Sequence, residues 1–89
     1  MIDMQHCFKK NDQMICRESN DGPVLIDPYR RTLIHMNPTA LEAWNLIDGT
    51  RSVAEIVEAM RDIFEVDEEM LRKDAVRFLE DLMKREMIR

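Results

Sequence analysis

Asn37-Pro38-Thr39-Ala40-Leu41-Glu42-Ala43-Trp44-Asn45-Leu46-Ile47-Asp48-Gly49-Thr50 is the stretch on which the fold turns. Before it, apolar residues come in short β-branched runs. From Asn37 onward they recur with the period of a helix. Ala40, Ala43, Trp44 and Ile47 share one face. Two starts fit equally well. Thr39 and Glu42 have capping-box spacing, and Asn37 can cap with Pro38 at the first helical position. Asp48-Gly49 ends the helix, because glycine readily takes the left-handed conformation that helix ends require.

Working towards the C-terminus, Ser52-Val53-Ala54-Glu55 is a capping box that opens a second helix. Its apolar residues are Val53, Ile56, Val57, Met60, Ile63 and Phe64. A third helix begins near Asp67, where Asp67, Glu68 and Glu69 place negative charge at the positive end of its dipole. It runs to about Arg85, and Val66 and Leu71 have the spacing of a hydrophobic staple.

Towards the N-terminus, Thr32 to Met36 reads as a strand closed by Asn37-Pro38. Val24-Leu25-Ile26 is a second strand, bounded by Asp27-Pro28, and Gln13 to Glu18 is another. The cluster Ser19-Asn20-Asp21-Gly22-Pro23 separates these two as a turn. The expected architecture is α+β and winged helix-turn-helix-like: a three-stranded antiparallel sheet followed by three α-helices. Residues 1–12 have no clean period and are expected to form a flexible arm, leaving 13–89 as the domain.

The 89 residues allow one small domain. The net charge is −5, from 13 basic and 18 acidic residues. Residues 1–36 are neutral, so the whole excess of acid lies on 37–89. A surface built for phosphate backbones is normally basic. The longest stretch free of Asp, Glu, Lys and Arg, Thr32 to Leu41, is too short to span a bilayer and contains His35 and Asn37. The N-terminus lacks the apolar core of a secretory signal, so a cytoplasmic protein is expected. Cys7 and Cys16 are then expected to be free thiols.

Little in the sequence points to catalysis. There is no Gly-rich phosphate loop, no H-E-x-x-H and no C-x-x-C. His6, Cys7, Cys16 and His35 match no closed zinc spacing. An adjacent His6-Cys7 pair has no third group to orient the base. Neither metal nor cofactor is expected. Glu55, Glu58 and Asp62 read as the wet face of the second helix.

Two features hint at binding instead. On the third helix, Leu71, Ala75, Phe78, Leu79 and Leu82 form a core stripe, which Val76, Met83 and Met87 widen to about half the circumference. One flank either packs on the sheet or lines a groove. The third strand has no Lys or Pro within Leu33 to Met36 to protect an open edge. Either the arm or a helix covers that edge, or a partner strand adds to it.

Several segments resemble the PqqD family. They are Leu25-Ile26-Asp27-Pro28, His35-Met36-Asn37-Pro38-Thr39-Ala40, Ala43-Trp44-Asn45-Leu46-Ile47-Asp48-Gly49-Thr50, Ser52-Val53-Ala54-Glu55-Ile56 and the helix around Asp74 to Leu82. Met36 stands where Leu is common in that family. The resemblance implies a recognition element for ribosomally synthesised, post-translationally modified peptides. Such a module is a non-catalytic chaperone that binds the leader of a precursor peptide and presents it to a radical S-adenosylmethionine maturase, as in pyrroloquinoline quinone (PQQ) biosynthesis. In that family the leader adds as a strand to the third strand, beside the third helix. Trp44 is then core.

The expected peptide-binding residues are therefore Leu33, Ile34, His35 and Met36 on the strand, with Ile34 and Met36 facing inward. On the helix, Phe78 and Leu82 are expected at the groove floor, with Arg77 meeting an acidic leader residue. Val76 and Met83 form the wall if the sheet lies on the other flank. The alternative function is a winged-helix DNA-binding regulator, whose reading helix would carry Glu55, Glu58 and Asp62 with only Arg61 to meet phosphate.

Overall fold

The computed structural model describes residues 2–89. Three strands precede three helices: β1 (Ile15–Ser19), β2 (Gly22–Asp27), β3 (Thr32–His35), α1 (Pro38–Leu46), α2 (Val53–Arg61) and α3 (Glu68–Lys84). The sheet is antiparallel in the order β1-β2-β3, so β3 is an edge strand.

The β1–β2 turn is tighter than the turn-forming cluster suggests. Ser19 pairs with Gly22, and Pro23 joins β2 opposite Glu18. Gly22 makes this possible at φ 106°, a conformation costly for other residues. Pro23 is tolerated because its missing N–H faces the end of β3. There its carbonyl accepts the Met36 N–H at 2.9 Å. Asp27, buried, closes the next turn by accepting the Tyr29 and Arg30 N–H groups at 3.0 and 3.1 Å.

Asn37 decides the start of α1: its Oδ1 accepts the Ala40 N–H at 2.8 Å, with Pro38 in the first turn. The Ser52–Glu55 capping box of α2 is complete in both directions. That helix stops at Arg61, so Ile63 lies beyond it and is 53% exposed. Val66 is exposed as well and does not act as a staple. The α3 C-terminus is closed by Glu86 at φ 59°, with the Met87 N–H donating to the Leu82 carbonyl at 2.9 Å. Arg30 reaches the same end, bonding the Arg85 carbonyl and pairing with Glu86.

The core lies between the inner sheet face and the helices. Leu25, Met36, Trp44, Ile47, Ile56, Met60, Leu79 and Leu82 are all buried in it. Trp44 is thus a core residue, with the Lys10 ammonium 4.8 Å from its ring centroid.

The N-terminal segment departs from expectation. Instead of a loose arm, residues 2–12 pack across the helical layer. Phe8 is buried in the core. The Ala54, Val53 and Gly49 N–H groups donate to the carbonyls of Met4, His6 and Phe8. Lys9 and Arg89 exchange two main-chain bonds at 2.7 and 2.9 Å, and Lys10 bridges Ile88. The segment shows no period because its partners are backbone groups remote in sequence, not a repeating face.

Asp48 holds the α1–α2 turn. Its Oδ1 accepts the Thr50 N–H and hydroxyl, both at 2.9 Å, and the Arg51 N–H at 3.0 Å. These donors, led by the Thr50 N–H, favour the charged form and lower its pKa to about 2. A depressed folded pKa adds stability above the unfolded value of 3.8 and loses it as pH falls through the folded one. Acid titration of the fold should therefore show a component between about pH 4 and pH 2. Asp48→Asn should flatten that component in a pH series of denaturant melts.

Candidate functional site

The geometry of β3 begins with its hydrogen-bond alternation. In an antiparallel pair, successive residues point their main-chain groups alternately towards and away from the partner strand. Met36 donates to Pro23, and Ile34 and Thr32 lie opposite Leu25 and Asp27 in the same phase. The N–H and C=O groups of Leu33 and His35 therefore face away from β2, along the open edge.

Beside this edge lies a cleft of about 650 Å³. His35, Asn37, Thr39 and Ala40 form the wall on the β3–α1 side. Asp74, Arg77, Phe78, Asp81 and Lys84 form the α3 wall. Ala43 and Ala75 also line it and are buried. The cleft exists because residues 40, 43 and 75 are alanines; longer side chains there would fill it. Its charge is mixed. The Asp81 carboxylate accepts from Arg85 Nε at 3.2 Å. Arg77 and Lys84 make no ion pair among the described residues.

Of the residues singled out from sequence, His35, Arg77 and Phe78 border the cleft. Ile34 is half-buried against the core and Met36 is buried within it, so this pair faces inward. Leu33 is 51% exposed and lies on the outer sheet face with its pair partner Ile26. Leu82 does not reach the cleft: it is fully buried beneath α3, and the alanines take the place expected for it. Val76 lies on the opposite flank of α3, against Ile2 and Met4. The sheet edge is therefore on the Phe78 flank.

Thr39, Ala40, Asp74 and Asp81 were not expected at the site from sequence. Asp74 and Asp81 lie four before and three after Phe78, so helical spacing alone put them on its flank. The α1 wall had no such signal, since it follows from how α1 crosses α3. Leu82→Ala should act on stability, costing about 2–5 kcal/mol, as for other buried leucines. Chemical denaturation should show this loss, while the folded fraction keeps its cleft.

Among the described residues no three His, Cys, Asp or Glu side chains gather in a way that could hold a metal ion. Cys7 and Cys16 are in no disulfide and are exposed. No helix of the described residues is long and apolar enough to cross a membrane.

A three-stranded meander whose edge strand β3 flanks a cleft, followed by three helices, defines a small α+β domain of winged-helix type. The profile of the family described as coenzyme PQQ synthesis protein D (PqqD) matches residues 23–88, and the chain belongs to that family. Two solved structures share the fold. TbiB1 in complex with the TbiA(beta) leader peptide aligns with a TM-score of 0.72 at 24% identity, covering 90% of this chain and 93% of that one. Lasso peptide synthetase B1 complexed with the leader peptide aligns with a TM-score of 0.76 at 18% identity, covering 94% of this chain and 99% of that one. A comparison with curated proteins finds no match.

Proposed function

We propose that the protein is a non-catalytic adaptor that binds the leader of a ribosomally synthesised precursor peptide on β3. It then presents the peptide to a radical S-adenosylmethionine maturase, in PQQ biosynthesis or a related peptide modification. The observation that carries this reading is the open edge of β3 beside a cleft walled by α3. A strand added to Leu33 and His35 satisfies main-chain groups nearly regardless of side chain, while the cleft selects side chains. Phe78 and the alanines offer apolar contact. Arg77, Lys84, Asp74 and Asp81 offer charge partners of both signs. Membership in the PqqD family and the leader peptides held by both similar structures support the same reading.

The DNA-binding alternative is not favoured. The exposed groups of α2 include Glu55 and Glu58, with Asp62 at its end, a poor surface for phosphate.

Amide hydrogen exchange with and without the precursor tests the site. Protection should appear at the Leu33 and His35 N–H groups and along the Phe78 flank of α3. Protection confined to α2, with β3 unchanged, would remove this assignment.

A further inference from the structure

The two flanks of α3 carry different clefts. On the flank away from the sheet, Ile2, Met4 and Val76 floor a second cleft of about 430 Å³. Arg72, Lys73, Arg77 and Glu80 stand around it. The N-terminal segment supplies two of the three apolar floor residues and is anchored there. The Ala54 N–H donates to the Met4 carbonyl at 2.9 Å, and the Val53 N–H to that of His6 at 3.0 Å.

The charge of this cleft runs against the chain as a whole. Three cations face one carboxylate in a protein of net charge −5. Arg72 and Arg77 make no ion pair among the described residues. Lys73 has only the exposed Glu69, at 3.8 Å. An apolar floor with a cationic rim complements a segment that carries both apolar side chains and carboxylates.

The second cleft adjoins the first across α3, since Arg77 and Glu80 border both. A helix with its side chains is about 10–12 Å across. An extended chain advances about 3.3 Å per residue. The path over the exposed half of a cylinder that wide is about 16–19 Å, so about five or six residues carry a peptide from the β3 edge over the crest of α3.

We propose that the second cleft binds an acidic, apolar-bearing segment of the same precursor, tethered to the strand on β3 by a short crossing of α3. This rests on the peptide-binding reading above and extends it. The apolar side chains enter between Ile2, Met4 and Val76, and the carboxylates meet Arg72 and Lys73. Tethering makes the second contact intramolecular, so a weak contact still raises affinity. The N-terminal segment thereby helps set which precursor is accepted.

The test uses a displayed library of random peptides of about 20 residues, long enough to span both clefts at about 3.3 Å per residue. Selection is run on the full chain at low salt. Enriched sequences should carry an alternating apolar block and, about five or six residues away, an acidic–apolar block, matching the span over the helix. A synthetic peptide of this type should bind Arg72→Glu/Lys73→Glu about tenfold more weakly than the parent, with a smaller gap at high salt. Both positions are exposed on α3, and circular dichroism verifies that the variant is folded. His35→Pro should weaken the same peptide through the other cleft.

Peptides sensitive to His35→Pro but indifferent to the double variant would overturn the second cleft and leave the β3 reading standing. Peptides sensitive to the double variant but not to His35→Pro would overturn the tethered arrangement. A selection yielding no peptide sensitive to either would overturn the peptide-binding reading and this inference with it.

Discussion

A chain that starts at Gln13 is expected to lose about 4 kcal/mol or more of folding stability relative to the full chain. The estimate rests on Phe8, which is 2% exposed in the core. Removing a buried phenylalanine side chain costs about 3–5 kcal/mol. The truncation also strips the Gly49, Val53 and Ala54 N–H groups of their acceptors and removes the pairing of Lys9 and Lys10 with the C-terminal residues. Domains of this size hold about 0.05–0.15 kcal/mol per residue in total. The loss is therefore a large part of the whole, and the truncated chain should be partly unfolded in water. Urea melts followed by circular dichroism measure it. Phe8→Ala in the full chain should reproduce most of the effect without changing any main-chain bond. A truncated chain with an unshifted midpoint would show that the packed segment contributes nothing.

His35→Pro should weaken leader binding by about tenfold or more while leaving the protein folded. The His35 N–H faces the open edge of β3, so proline there removes a donor that β2 does not use. One hydrogen bond to a bound strand contributes about 1 kcal/mol, and the ring blocks the approach of the strand as well. Together these exceed the 1.4 kcal/mol of a tenfold change. The neighbouring position gives the contrast. Ile34 is in the phase that bonds towards β2, opposite Leu25. Ile34→Pro should lower stability clearly more than His35→Pro, because it removes a hydrogen bond of the ladder itself. Isothermal titration with the precursor and thermal melts separate the two outcomes. A larger loss of stability in His35→Pro than in Ile34→Pro would mean that the open edge is misplaced by one residue.

Much of the fold was legible because it rests on local rules. The shift in apolar period at Asn37, the Ser52–Glu55 box, the Asp48-Gly49 stop and the acidic start of α3 each act within a few residues. Periodicity also indicated which strand residues face inward, since Ile34 and Met36 alternate with Leu33 and His35. The site was legible in part. Its two partners, an unguarded strand and a helix with too wide an apolar face, could be read separately. Leu82 was misplaced because a position within an apolar stripe does not tell the centre of the core from its rim. Depth depends on the surrounding elements, which bury Leu82 and leave alanines 40, 43 and 75 to line the cleft.

By itself the sequence determined the order of strands and helices, their caps and their inward faces, because these follow from dihedral preference, hydrogen bonding and burial over short spans. Tertiary structure alone decided which flank of α3 meets the sheet and where a cleft is left open. It also drew residues 2–12 into the core. Those outcomes come from contacts between segments far apart in the chain, such as Phe8 with Gly49 and Lys9 with Arg89. No local pattern records such contacts, since the backbone groups that make them are the same at every residue.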